Sequence, residues 1–136
     1  MSAPRLAIPD LAGKAVLITG GSTGIGAAVA RGFAGQGAKV AIGYHASEGP
    51  ALALAKEVEA AGGEALAVEG DVASAAECER IVAETAARFG RLDGLINNAG
   101  LMLGRVPSYE ASDEHAQAVI DLNARAVVSM TRAALP

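Results

Sequence analysis

Residues Lys14 to Gly20 (KAVLITG) form a short apolar run that ends in glycine, and Gly21-Ser22-Thr23-Gly24-Ile25-Gly26 follow directly. Such a run, bounded by glycine, reads as a strand buried on both faces. Gly24 to Gln36 then reads as a helix, with Ile25, Val29 and Phe33 spaced to share one face and Gly35 and Gly37 closing it. This strand, glycine turn and helix constrain the fold more than any other feature. A strand covered on both faces needs parallel neighbours and helices above and below it.

The remaining chain repeats the alternation. Ala38 to Gly43 reads as a second strand and Pro50 to Ala61 as a second helix, which Gly62 and Gly63 end. Glu64 to Gly70 reads as a third strand. Ser74-Ala75-Ala76-Glu77 is a capping box, so a third helix starts there, with Cys78, Ile81, Val82, Thr85 and Phe89 at helical spacing. Leu92 to Asn97 reads as a fourth strand, Leu101 to Ala111 as a loop, and Asp113 to about Leu135 as one long helix whose Val119, Leu122, Ala126, Val127 and Met130 face inward. Strands separated by such helices make βαβ units with right-handed crossovers and a parallel sheet. Residues 1–12 read as a loose arm.

The chain has 136 residues, 51% hydrophobic and 19% charged, which suits one domain with a substantial core and excludes intrinsic disorder. A net charge of −4 with no basic stripe argues against nucleic acid as a partner. A single cysteine, Cys78, excludes an internal disulfide framework, and two scattered histidines, His45 and His115, do not make a metal cluster. No stretch approaches the ~20 uninterrupted apolar residues of a membrane span, and Pro4 and Pro9 interrupt the N-terminal region, which has no leader-like apolar run. A reducing cytoplasm is the expected compartment.

The glycine turn points to phosphate. A helix N-terminus offers unpaired N–H groups and the positive end of a dipole, and small residues there let a pyrophosphate approach. Ser22 and Thr23 add hydroxyls; a merely tight strand-to-helix turn is the plain alternative. Two further sites fall at strand C-termini, where open α/β sheets bind ligands. Asp71-Val72 ends the third strand, and the Asp71 carboxylate serves either as an acceptor for an adenine amino group or as the cap of the next helix. Asn97-Asn98-Ala99-Gly100 ends the fourth strand and reads as a ligand-approach and strand-linking element or as a turn. Asn123 stands on an apolar helical face, where a buried amide must be hydrogen-bonded, either to neighbouring backbone or to an active-site water.

Together these residues resemble the short-chain dehydrogenase/reductase family, in its compact branch that includes 3-oxoacyl-carrier-protein reductases. Thr19-Gly20, followed by Gly24-Ile25-Gly26, is similar to that family's cofactor turn. Asp71-Val72 resembles its adenine-side motif, Asn97 to Gly100 its fourth-strand motif, and Asn123 its helix Asn, the first of an Asn-Ser-Tyr-Lys catalytic tetrad. The resemblance runs from about Leu11 to Pro136. It implies a Rossmann-type α/β fold, a (βα)4 sheet in the order 3-2-1-4 that is incomplete relative to the family, a nicotinamide cofactor, and hydride transfer between an alcohol and a carbonyl.

The family's catalytic Ser and Tyr-x-x-x-Lys lie beyond Pro136. Tyr44 is followed four places on by Glu48, and Tyr109 by Asp113, so neither makes that pair. This chain alone is therefore expected to be inactive. A fourth strand without its next neighbour, and the last helix, are expected to favour self-association.

A free ribose 2′-OH usually meets an acid about 20 residues after the glycine turn. The second strand here ends Gly43-Tyr44-His45-Ala46-Ser47, with no carboxylate at its tip. That tip looks like those of NADP-using members. A 2′-phosphate there would take the Ser47 hydroxyl and His45, with Tyr44 in the same cofactor-binding set, so NADP is favoured over NAD; an ordinary exposed loop residue is the plain alternative for His45. Ser22 and Thr23 stand where many NADP users carry a basic residue, which weighs the other way. Three readings of the chain follow: the cofactor-binding half of a short-chain oxidoreductase, a fragment without a stable fold, or a non-catalytic nucleotide- or partner-binding module completed by another chain.

Overall fold

Alternating side chains along one strand already show how the core is divided. In the computed structural model, which describes residues 6–136, β1 (Ala15–Ile18) is fully buried. Its Val16 and Ile18 point to one side of the sheet, and its Ala15 and Leu17 to the other. The first side packs under α1 (Gly24–Ala34) and α2 (Glu48–Ala60), through Ala27, Ala30, Ala51, Leu54 and Val58. The second packs under α3 (Ala75–Phe89) and α5 (Ala126–Ala134), through Cys78, Ile81, Phe89 and Met130.

Between them lie β2 (Lys39–Tyr44), β3 (Ala65–Glu69) and β4 (Gly94–Ile96). All pairs are parallel, and the sheet order is β3-β2-β1-β4. This is the Rossmann-like arrangement expected from the alternating pattern. The chain reverses its direction of travel across the sheet between β3 and β4. That places a crevice at the carboxyl ends of β1 and β4, where such sheets bind ligands.

Several expectations need correction. Ile25 is 77% exposed and leaves the expected face; α1 buries Gly26, Ala27 and Ala30, with Val29 and Phe33 partly buried against the same core. The long last helix is interrupted: α4 (Asp113–Ile120) runs into a π-helical turn, Asp121–Arg125, before α5 begins. A π turn adds a residue to the turn and rotates the face that follows. Ala126, Ser129 and Met130 are therefore buried, whereas Val127 is 38% exposed and does not face inward; Val119 and Leu122 are half-buried. Asn123 is exposed and not set in an apolar face.

The expected loose arm is anchored from Leu6 onward, while its residues 1–5 lie outside the described residues. The Gln36 side chain donates to the Leu6 carbonyl and accepts from the Ile8 N–H, each at 2.8 Å. Pro9–Leu11 then form a 3-10 turn. Among the described residues no helix is long and apolar enough to cross a membrane.

Candidate dinucleotide site

The carboxyl ends of β1 and β4 are tied together by Thr19 and Asn98. Thr19 is buried, and its Oγ1 accepts the N–H groups of Asn98 and Ala99, each at 3.0 Å. The same hydroxyl donates to the Ile96 carbonyl at 3.4 Å. Asn98 Nδ2 reaches back to donate to the Thr19 and Gly20 carbonyls at 3.1 and 3.0 Å. One hydroxyl and one amide thus satisfy the backbone groups that the sheet leaves open where its strands part.

This clamp needs space. A Cβ on Gly26 would fall 2.1 Å from the Gly20 carbonyl oxygen and 2.6 Å from Asn98 Nδ2. Gly20 itself has φ +60°, and a Cβ there would sit 3.0 Å from the Ala99 Cα. Only glycine lets the first turn of α1 lie against the Asn98 amide.

Above the clamp, the first helical bond of α1 runs from the Ala27 N–H to the Thr23 carbonyl at 3.2 Å. The N–H groups before Ala27 have no acceptor within the helix. Thr23, the N-cap residue, makes no side-chain cap bond, and Gly24, with φ +53°, leaves open space where a side chain would stand. The result is a positive helix end with exposed donors, which suits a pyrophosphate.

These groups open onto a cleft of about 510 Å³. Of the residues singled out from sequence, Thr19, Gly20, Ser22, Thr23, Gly24, Ile25, Tyr44, Ser47, Asp71, Val72, Asn98, Ala99 and Gly100 line it. Gly26 lies beneath it, and Asn97 turns away to donate to the Thr131 hydroxyl at 3.3 Å. Gly43, His45, Ile81 and Leu122 also line the cleft. Gly43 carried a readable signal, a glycine inside a strand pattern, which marks close backbone approach; its added Cβ would sit 3.1 Å from the Ile18 carbonyl.

Of the two hydroxyls expected as donors, that of Thr23 makes no cap bond and lines the cleft, whereas that of Ser22 is already engaged. Ser22 is 6% exposed, and its hydroxyl shares a hydrogen bond with the Ser47 hydroxyl at 2.7 Å. That bond ties the α1 turn to the start of α2. Asp71 commits Oδ1 to the Ala73 N–H at 2.9 Å, so one carboxylate oxygen serves the turn into α3. Burial, together with the Glu48, Glu69 and Glu84 carboxylates, pushes the Tyr44 phenol above its ordinary range.

Asn123 sits in the π turn with its amide spent on backbone. Oδ1 accepts the Leu101 N–H at 3.1 Å, while Nδ2 donates to the Leu101 carbonyl at 2.8 Å and to the Val119 carbonyl at 2.9 Å. Of the two roles considered for it, the backbone role describes this geometry. A side chain that takes a carbonyl four residues back competes with the helical ladder, which accounts for the π turn at this point. Gly100 makes room for it: a Cβ there would lie 2.7 Å from Asn123 Oδ1.

A doubly wound parallel sheet, an open helix N-terminus at its crevice and a glycine-lined cleft make a scaffold of the kind that binds nucleotides. The sequence model described as short chain dehydrogenase matches residues 14–136, and the chain belongs to that family. It is 41% identical over 123 residues to a 3-oxoacyl-[acyl-carrier-protein] reductase of Synechocystis, covering 90% of this chain and 49% of that protein. It superposes on a short chain dehydrogenase from Burkholderia cenocepacia in complex with NADP with TM-score 0.87 at 40% identity, over 91% of this chain and 50% of that one. A structure of the NADH-dependent reductase A1-R′ complexed with NAD gives TM-score 0.88 at 39% identity, over 94% of this chain and 53% of that one. The chain spans about half the length of the curated relatives it matches.

Proposed function

We propose that this chain is the dinucleotide-binding half of a short-chain oxidoreductase acting on an alcohol or carbonyl substrate, with NADP preferred over NAD. The observation that carries the reading is the uncapped N-terminus of α1, held open over the Thr19–Asn98 clamp at the crevice. The N–H groups of Gly24, Ile25 and Gly26 would hold the pyrophosphate, and Asp71 and Val72 would border the adenine. The nicotinamide ring, when bound, supplies or accepts the hydride. Gly100 and Leu101, fixed by the Asn123 amide, would border the nicotinamide end of the cleft. Asn123 is thus a positioning residue on this reading.

The preference for NADP rests on the β2–α2 corner. No carboxylate stands between Gly43 and Ser47 to take a ribose diol, and the Ser22–Ser47 hydroxyl pair offers donors to a 2′-phosphate. Acid–base chemistry is another matter. Tyr44 lines the cleft, but its surroundings raise the phenol pKa, whereas a catalytic tyrosine needs a neighbouring cation to lower it. These 136 residues on their own are therefore proposed to bind cofactor without turnover. The buried free thiol of Cys78 suits a reducing, cytoplasmic setting. Self-association would use the open side of β4 and the outer face of α5, where Val128 is 62% exposed.

Titration of the purified chain with NADPH and NADH, followed by nicotinamide fluorescence, tests the reading. Saturable binding of both, tighter for NADPH, supports it; binding of neither overturns it. Ketone-dependent NADPH oxidation at enzyme-like rates would overturn the proposed lack of turnover.

A further inference from the structure

β3 is an edge strand, paired with β2 alone, so one side of it has no neighbour in the sheet. The Gly70 N–H at its carboxyl end donates to the Tyr44 carbonyl of β2 at 2.8 Å. The Glu69 carbonyl belongs to the same peptide and points the opposite way, to the open side. There Arg80 of α3 takes it, through a hydrogen bond from Nη2. The guanidinium is itself oriented. Its Nε and Nη2 donate to the Glu77 carboxylate at 3.1 and 2.8 Å, and its Nη1 donates to Glu84 at 2.9 Å.

The residues that follow Glu69, namely Gly70, Asp71 and Val72, line the cleft. The Asp71 carbonyl accepts the Ser74 N–H at 3.0 Å, and the Val72 carbonyl accepts the buried Cys78 thiol at 3.3 Å. Helix α3 and its cap thus grip this segment on both sides of Asp71. The approach is close: a Cβ on Gly70 would fall 2.5 Å from Ile81 Cδ1 and 3.1 Å from Arg80 Nη2.

The ion pairs of Arg80 lie at the surface, where such pairs contribute little to stability. Its bond to the Glu69 carbonyl is different in kind. It is charge-assisted, and it gives an edge carbonyl a fixed partner where the sheet supplies none. Two carboxylates balance the guanidinium locally, so what Arg80 governs is position. Asp71 stands two residues from Glu69, with Oδ1 already committed to the Ala73 N–H at 2.9 Å. A recognition group must be held to within about 0.5 Å by the groups behind it. The remaining Asp71 oxygen is only as well placed as the backbone that carries it.

We propose that Arg80, which stands behind the cleft, is a positioning residue for base recognition. By holding the Glu69 carbonyl it fixes the tip of β3, and so places the Asp71 carboxylate against the amino group of adenine. This rests on the dinucleotide reading above, in which Asp71 borders the adenine.

The test compares NADH with reduced nicotinamide hypoxanthine dinucleotide, which carries a carbonyl oxygen in place of the adenine amino group. Dissociation constants of both are measured for the 136-residue chain, for Arg80→Met and for Glu84→Gln, each shown to be folded by far-UV circular dichroism. The parent chain should bind NADH about tenfold more tightly than the hypoxanthine analogue, the effect of one hydrogen bond to a charged group. In Arg80→Met that ratio should fall to about threefold or less, while affinity for the analogue stays within about twofold of the parent value. Glu84→Gln removes one ion pair but leaves the bond to the Glu69 carbonyl, and should keep the parent ratio.

A general loss of structure lowers both affinities and leaves the ratio as it was. An unchanged ratio in Arg80→Met therefore overturns the positioning role and leaves the dinucleotide reading intact. An equal fall in Glu84→Gln overturns it too, because the effect would then belong to the ion pairs along α3. A parent chain that binds both dinucleotides equally overturns the adenine contact that Arg80 is held to place. Binding of neither overturns the underlying reading and this inference with it.

Discussion

Four helices begin with a serine or threonine at the N-cap, and they use it in two ways. At α3 the Ser74 hydroxyl accepts the Glu77 N–H at 3.4 Å, and at α4 the Ser112 hydroxyl accepts the His115 N–H at 3.1 Å. At α1 and α2, Thr23 and Ser47 make no such bond, although the residue type is right. Ser47 gives its hydroxyl to Ser22, and both Ser47 and Thr23 line the cleft. A side-chain cap satisfies one of a helix's open N–H groups within the chain; an uncapped end keeps that donor for something else. The two uncapped ends both border the cleft, which is where, on the proposed dinucleotide reading, a ligand would replace the missing caps.

The largest effect is expected where the uncapped end is held in place. Gly26→Ala puts a methyl group into the Gly20 carbonyl and the Asn98 amide, at 2.1 and 2.6 Å. It should cost about 3 kcal/mol or more in urea unfolding and abolish NADH binding. A variant that still bound cofactor with parental affinity would show that the close approach is not what forms the turn. Thr19→Val comes next. It keeps the shape but leaves the Asn98 and Ala99 N–H groups without their acceptor, at a cost of about 2 kcal/mol, read from the same unfolding curve.

The contrast between the helix ends is tested directly by two alanine substitutions. Ser74→Ala should cost about 1 kcal/mol, whereas Thr23→Ala should change stability by less than about 0.5 kcal/mol. A loss at Thr23 as large as at Ser74 would mean that Thr23 caps α1 in solution, and the contrast would collapse.

These differences also mark what could be read from the sequence. The alternation of strands and helices, the glycine turn, the strand-linking role of Asn98 and the Ser74 half of the expected capping box all follow from local pattern, and the structure contains each; the Glu77 carboxylate pairs with Arg80 instead, and the Ser74 N–H bonds the Asp71 carbonyl. The destination of a hydroxyl does not, because Ser47 and Ser74 look alike until the fold brings Ser22 within 2.7 Å of one of them. The exposure of Ile25 was hidden for a related reason. Apolar periodicity places Val29 and Phe33 against the core, but it does not show that the first turn of α1 borders an open cleft, where Ile25 stands. The π turn escaped for a third reason. Its cause is the Asn123 amide competing for the Val119 carbonyl while clasping Leu101, 22 residues away, and hydrophobic period carries no trace of that.

The smallest effect is expected at the opposite end of the sheet, where a backbone donor is satisfied by a charged group instead of a hydroxyl. Asp93 accepts the Ala15 N–H at 2.9 Å and pairs with Arg91, with Lys14 4.0 Å away. The Arg91 hydrogen bonds first, and the Ala15 N–H second, hold its carboxyl at about 2, against an ordinary value of 3.8. A depressed carboxylate stabilises the fold above its unfolded pKa, and that contribution is lost as pH falls through the folded one. Asp93→Asn keeps an acceptor for Ala15 but removes the charge. The gap in urea midpoint between the two chains should be present at neutral pH and close between about pH 4 and about pH 2. Glu57 and Glu77 are also held low, by Arg31 and Arg80, but they are common to both chains and cancel in the difference. A gap that persists below about pH 2 would mean that Asp93 acts through shape and not through charge. The two ends of the sheet would then be held by the same neutral chemistry.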